Sequence, residues 1–116
     1  IFGDGSQSRD FTYVDDIARG TITAICNVGY EIINLAGGRN PVSLNPIISK
    51  LEDLIGKKAK IDYQPFHVAD LMETWADISK AKRLLGWEPK ISLDDGLEES
   101  VQWYMDNQHW LKELQL

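Results

Sequence analysis

Arg9 is the side chain best suited to gripping an anion, because its guanidinium offers a planar fork of donors for charge-assisted, often bidentate bonds to oxyanion oxygens. An ion pair with Asp10 or Asp16 would instead make Arg9 a brace for its own loop, and the residues alone leave both readings open. Gln7 lies beside Gly3 and Gly5, which let the backbone turn and approach a ligand, although Gly-Asp-Gly is also ordinary hairpin chemistry. Asp15 and Asp16 resemble a catalytic carboxylate pair only superficially. Two acids at the start of a helix complement its dipole and cap free amides, and the same holds for Asp94, Asp95, Glu98 and Glu99. His67 and His109 have no cysteine or acidic partners at metal-ligand spacing, so no metal site is expected. Cys26 falls among Ile22, Ala24 and Ile25 and is expected to be a buried apolar thiol without chemistry. Trp75, Trp87, Trp103 and Trp110 fall beside helical apolar positions and are expected in the core.

The elements that must position these residues alternate along the chain. Phe11 to Val14 is a β-branched and aromatic run, a strand or extended segment. Ile17, Thr21, Ala24, Ile25 and Val28 recur at helical spacing up to Gly29. Glu31 to Ala36, bounded by Gly29 and by Gly37-Gly38, suits a buried strand, parallel to others because helices flank it. Ser43 opens the clearest helix, with Leu44, Ile47, Ile48, Leu51, Leu54 and Ile55 on one stripe, Pro46 tolerated in the first turn and Gly56 closing it. Ile61 and Tyr63 alternate with Asp62 and Gln64 as in a half-buried strand ending at Pro65. Asp77 caps a short helix that ends at Gly86, and Ser92 to Asp95 resembles a capping box. The last long helix has Leu93, Leu97, Val101 and Tyr104 as its buried face, and the tail from His109 adds a loose turn or two. The order is strand, helix, strand, helix, strand, helix, helix, which argues an α/β fold whose short strands join a sheet with other members upstream.

Bulk properties bound the function. A length of 116 residues allows one domain, spanning 1–116, with 43% apolar and 26% charged residues as in soluble globular proteins. No apolar run approaches the roughly 20 residues of a membrane span. A net charge of −6 argues against nucleic acid or an anionic membrane as partner, so any phosphate must be gripped locally. The single cysteine excludes an internal disulfide and fits a reducing compartment. Ile1-Phe2-Gly3 carries no initiator methionine and no signal-peptide stretch, so a start within a longer protein is expected.

Two blocks carry a family resemblance. Gly3-Asp4-Gly5-Ser6-Gln7-Ser8-Arg9-Asp10-Phe11-Thr12-Tyr13-Val14-Asp15-Asp16-Ile17-Ala18 is similar to the segment that extended short-chain dehydrogenase/reductase sugar enzymes place at the entrance to their substrate domain. Glu73 to Ala81, continuing through Leu84-Leu85-Gly86-Trp87-Glu88-Pro89 to Gly96-Leu97 and Trp103-Tyr104, resembles the same family's carboxyl end. The wording is nearest to UDP-glucuronate and UDP-glucose 4-epimerases, with dTDP-glucose 4,6-dehydratases and UDP-xylose-forming decarboxylases close behind. The resemblance implies a helix-rich substrate-binding part with a few short strands, no catalytic residue within it, and a Rossmann half elsewhere that holds NAD. That half would carry the Gly-x-x-Gly-x-x-Gly and Tyr-x-x-x-Lys patterns, both absent from this sequence. It further implies that Arg9 contacts the diphosphate of a nucleotide-sugar and that Asp70 helps close the nucleotide pocket through ribose hydroxyls or a neighbouring arginine; Gln7, from its place in the glycine loop, is the third candidate substrate contact. A cytoplasmic parent enzyme of carbohydrate metabolism, commonly a homodimer, is the corresponding expectation. One departure stands out: where family members often have Arg-x-Gly-Asp or Gln-Pro-Gly-Asp, this chain has His67-Val68-Ala69-Asp70, so His67 stands where the arginine would reach phosphate.

Overall fold

The stripe from Leu44 forms its helix as the spacing predicts. In the computed structural model, which describes residues 1–26, 29–38 and 40–113, helix α2 spans Leu44–Ile55 and ends on Gly56 in the left-handed conformation at φ 71°. The other helices are α1 (Val14–Thr23), α3 (Ser79–Leu85) and α4 (Leu93–Leu111). The Ser92 hydroxyl oxygen accepts the Asp95 N–H at 3.1 Å and its O–H donates to the Asp95 carboxylate at 2.6 Å, so the N-cap half of the expected capping box forms, while the shorter aspartate takes the Ser92 hydroxyl rather than its backbone N–H. Asp77 accepts the Ser79 N–H at 2.9 Å, and Gly86 closes α3 at φ 60°.

The alternation of strand and helix is observed, but the strands occupy different residues. Strand β1 (Ser8–Arg9) lies at the centre of a three-stranded sheet. It pairs antiparallel with β2 (Val42–Ser43) and parallel with β3 (Glu73–Thr74). Phe11 to Tyr13 is an extended lead into α1. The expected strand at Ile61–Gln64 reduces to one parallel bridge between Phe2 and Gln64. The expected strand at Glu31–Ala36 forms no ladder, although residues 32–35 keep a strand's side-chain alternation: Ile33 and Leu35 pack on the core while Ile32 and Asn34 face solvent, and Ala36 then packs on the core beside Leu35. A strand needs a neighbour to satisfy its amides and carbonyls, and none of the described residues pairs with this segment in a ladder. Helix α1 stops at Thr23 with Ala24 as its cap, short of the expected end at Val28, which lies outside the described residues.

The core is small. Ile78, Ala81 and Trp87 form its centre, with Leu35, Ala36 and Leu85 against them. Trp87 alone of the four tryptophans is buried; Trp75, Trp103 and Trp110 are partly exposed, the last two meeting edge to face at 5.9 Å. Cys26 is exposed, contrary to its apolar sequence neighbours, because α1 ends before reaching it. Tyr104, expected on the buried face of α4, is also exposed. No helix among the described residues is long and apolar enough to cross a membrane.

Candidate functional site

Arg9 and Asp70, 61 positions apart, are brought together by the sheet. Parallel pairing sets Arg9 opposite Thr74, and the Ser8 N–H donates to the Met72 carbonyl at 2.7 Å. This register carries the turn preceding β3 up to the Arg9 side chain. Arg9 Nη2 donates to Asp70 Oδ1 at 2.6 Å, while Nη1 donates to the Ser8 carbonyl at 2.8 Å. Neither Asp10 nor Asp16 is the ion-pair partner of the guanidinium. Side-chain exposures of 28% and 30% leave both groups partly open to solvent. The same Asp70 oxygen accepts the Leu71 N–H at 3.0 Å, and the Asp70 N–H donates to the His67 carbonyl at 2.9 Å, so the carboxylate is fixed by its own turn.

A cleft of about 280 Å³ opens beside this pair, lined by Arg9, Asp10, Ala36, Thr74, Trp75 and Ala76. An arginine at the edge of an open cleft with an indole on its wall can hold an anionic group at one end and an apolar ring face at the other. His67 stays outside the ion pair. Its Nδ1 accepts the Ala69 N–H at 3.2 Å and its ring meets Phe2 edge to face at 6.4 Å.

Gln7 points inward: it is 4% exposed and its Nε2 donates to the Phe2 carbonyl at 2.6 Å. The glycine loop around it is committed to α2. Gly5, at φ 80°, brings its carbonyl to the Asn45 N–H at 3.2 Å, the Gln7 carbonyl accepts the Leu44 N–H at 3.2 Å, and Asn45 Nδ2 donates to the Asp4 carbonyl. The loop therefore satisfies amides at the start of α2 that a side-chain cap would otherwise serve. The Gly3 N–H is given to the Gln64 carbonyl at 2.8 Å, so this end of the loop is tied to the segment before Pro65.

Asp16 is the residue whose role the sequence does not announce. It is 2% exposed, and its carboxylate accepts the N–H groups of Lys90 and Ile91, both at 2.8 Å, and the Arg19 guanidinium at 2.5 Å. Its carbonyl accepts Trp87 Nε1 at 3.0 Å, and Arg19 lies over the Trp87 ring at 5.7 Å. Burial alone would raise this carboxyl; the Ile91 and Lys90 amides and Arg19 outweigh it and hold it below the ordinary carboxylate range. Asp16 thus fastens α1 to the link between α3 and α4. Tyr13, just before α1, packs its ring on Gly96, and the Glu99 carboxylate beside its phenol, which favours the protonated form, raises its pKa. Both ties anchor the segment that follows Arg9. A sequence signal for Asp16 existed in Gly20, one turn on and also buried, since a glycine inside a helix marks close approach on its face. Among the described residues no cluster of three or more histidines, cysteines or acids could hold a metal ion.

Residues 1–100 match the family described as GDP-mannose 4,6 dehydratase. A UDP-glucuronate 4-epimerase of Thermodesulfobacterium geofontis strain OPF15 is 60% identical over all of this chain, which covers 36% of that relative. A Bacillus cereus UDP-glucuronic acid 4-epimerase, solved in complex with UDP-glucuronic acid and NAD, superposes with a TM-score of 0.79 at 45% identity, over 91% of this chain and 34% of that one. A Thermotoga maritima UDP-glucose 4-epimerase with UDP-glucose superposes with a TM-score of 0.83 at 33% identity, over 93% and 35%. The chain thus spans about a third of the length of the curated relatives it matches.

Proposed function

The chain belongs to the extended short-chain dehydrogenase/reductase family of nucleotide-sugar epimerases and dehydratases, and from that membership we propose that it is the substrate-gripping portion of an NAD-dependent nucleotide-sugar 4-epimerase acting on a UDP-hexuronate or UDP-hexose. The observation that carries the reading is Arg9, held by β1 at the edge of an open cleft with Asp70 beside it, in a chain 45% identical to a protein solved with UDP-glucuronic acid. Arg9 grips the diphosphate and Asp70 serves the nucleoside end. Gln7 shapes the loop that presents Arg9, through its bond to the Phe2 carbonyl. NAD supplies transient oxidation at the sugar and is held by an amino-terminal half of the parent enzyme, a reading supported by the family resemblance, which assigns that half a Gly-x-x-Gly-x-x-Gly pattern this sequence lacks.

Titration calorimetry with UDP-glucuronic acid and UDP-glucose tests this. Arg9→Ala should weaken binding at least about tenfold, the scale of losing a charge-assisted hydrogen bond. Unchanged affinity in that variant sinks the assignment of Arg9. A second reading, that the chain alone only folds and self-associates, is favoured by the apolar side chains of Val14, Ile22, Ile25, Tyr30 and Ile32 in solvent. Sedimentation velocity showing concentration-dependent dimers, with no heat from either sugar nucleotide, would select it.

A further inference from the structure

We propose that Asp70 is an internal counter-anion for Arg9 that the ligand's diphosphate must displace, so that binding at this site is an exchange of anions. The proposal rests on the assignment of Arg9 to the diphosphate. Its basis is geometric. The guanidinium forms its ion pair with Asp70 through Nη2 at 2.6 Å and gives one Nη1 N–H to the Ser8 carbonyl at 2.8 Å, so two of its five donors are engaged and the Nη2 end carries the counter-charge. Asp70 is held in place independently of Arg9, by the Leu71 N–H on the same oxygen and by its own N–H on the His67 carbonyl. A carboxylate so placed already occupies the guanidinium when another anion approaches, and because two anions sharing one fork repel each other, the diphosphate takes the Nη2 bond only as Asp70 yields it. Because His67 occupies the position where a second cation would stand, and is turned to Ala69 and Phe2, the incoming charge has Arg9 as its main partner. The diphosphate therefore gains only the difference between its own bond to Arg9 and the one Asp70 gives up. Displaced from the guanidinium, Asp70 can accept hydrogen bonds donated by the ligand's hydroxyl groups.

The two jobs separate with two probes. Inorganic pyrophosphate offers charge and no hydroxyl-bearing sugar, so it reads the exchange alone; UDP-glucuronic acid reads both. Each is titrated into this chain and into the Arg9→Ala, Asp70→Asn and Glu73→Gln variants at one fixed salt concentration. Asp70→Asn should bind pyrophosphate about two- to fivefold more tightly, the worth of a partly exposed ion pair, and should gain less for UDP-glucuronic acid. Glu73→Gln removes the same charge from a neighbouring exposed position and should gain less than Asp70→Asn. A gain of affinity is not what a damaged fold produces; Asp70→Ser, which keeps an acceptor for the Leu71 N–H, should repeat it. Equal or weaker pyrophosphate binding in Asp70→Asn and Asp70→Ser, with the loss in Arg9→Ala retained, overturns the exchange and leaves the Arg9 assignment standing. Equal gains in Glu73→Gln also overturn it, since the effect is then general charge. Pyrophosphate binding unaffected by Arg9→Ala overturns both.

Discussion

A carboxylate at 2% exposure is tolerable only when its charge is answered, and Asp16 is answered by two backbone amides and a guanidinium. Asp16→Asn keeps the volume but turns an acceptor-only group into one that presents an N–H₂ to those donors. It should cost about 2–4 kcal/mol, as expected when a buried charged hydrogen-bond network loses its acceptor; urea unfolding followed by circular dichroism measures it. The pH dependence has a definite sign. Because the folded carboxyl is held below its ordinary value, its contribution is fully present above the unfolded value of about 3.9 and is lost as pH falls through the lowered folded value. The advantage of the wild-type chain over Asp16→Asn should therefore be constant from neutrality down to about pH 4 and shrink below it. A gap that instead grows on acidification contradicts the assignment. Asp16 and Asp15 are indistinguishable by composition; which of them turns inward depends on the rotation of α1 against Trp87, 71 positions away. Arg9 differs, since its chemistry is legible from its type and motif while its partner Asp70 is a matter of sheet register.

Helices were legible and strands were not, for a common physical reason. The stripes of α2 and the caps of α3 and α4 are local, satisfied by residues within four positions. The strands of the sheet are two residues each, too short to show a period of two, and they exist because three distant segments meet at Arg9. Glu31–Ala36 has the reverse character: residues 32–35 alternate as a strand does, and no described residue pairs with them. Gly20 tests how closely α1 is seated. A Cβ there would come within 2.8 Å of both the Leu35 side chain and Trp87 Nε1. Alanine is worth roughly 1 kcal/mol more than glycine inside a helix, whereas overpacking a tight contact costs about 1–3 kcal/mol. Overpacking wins here because the indole is tied to the Asp16 carbonyl at 3.0 Å and cannot withdraw without breaking that bond. Gly20→Ala should lower the thermal midpoint and red-shift Trp87 emission; a raised midpoint would show that the indole yields freely.

The molecule as a whole exposes more than its size requires. A compact monomer of its mass presents about 6,400 Å², and this chain presents 8463 Å². Its radius of gyration is 16.8 Å, against about 13 Å for a compact domain of this length. The excess, roughly 2,000 Å², is of the order that large permanent interfaces bury, and it includes Tyr30 at 91% and Ile32 at 71% exposure. We read this surface as the seat of the proposed cofactor-binding half, with Glu31–Ala36 adding to that half's sheet. Amide hydrogen exchange gives the test. In this chain alone the amides of residues 31–36 should exchange rapidly, because no ladder protects them. Mixed with the separately produced remainder of the Thermodesulfobacterium geofontis relative, 60% identical over this region, they should slow by at least about a hundredfold, the protection expected of a strand opening that costs near 3 kcal/mol. Amides that stay fast while the two pieces demonstrably associate would mean that the contact lies elsewhere, and the alternation along this segment would then reflect only its packing on Trp87.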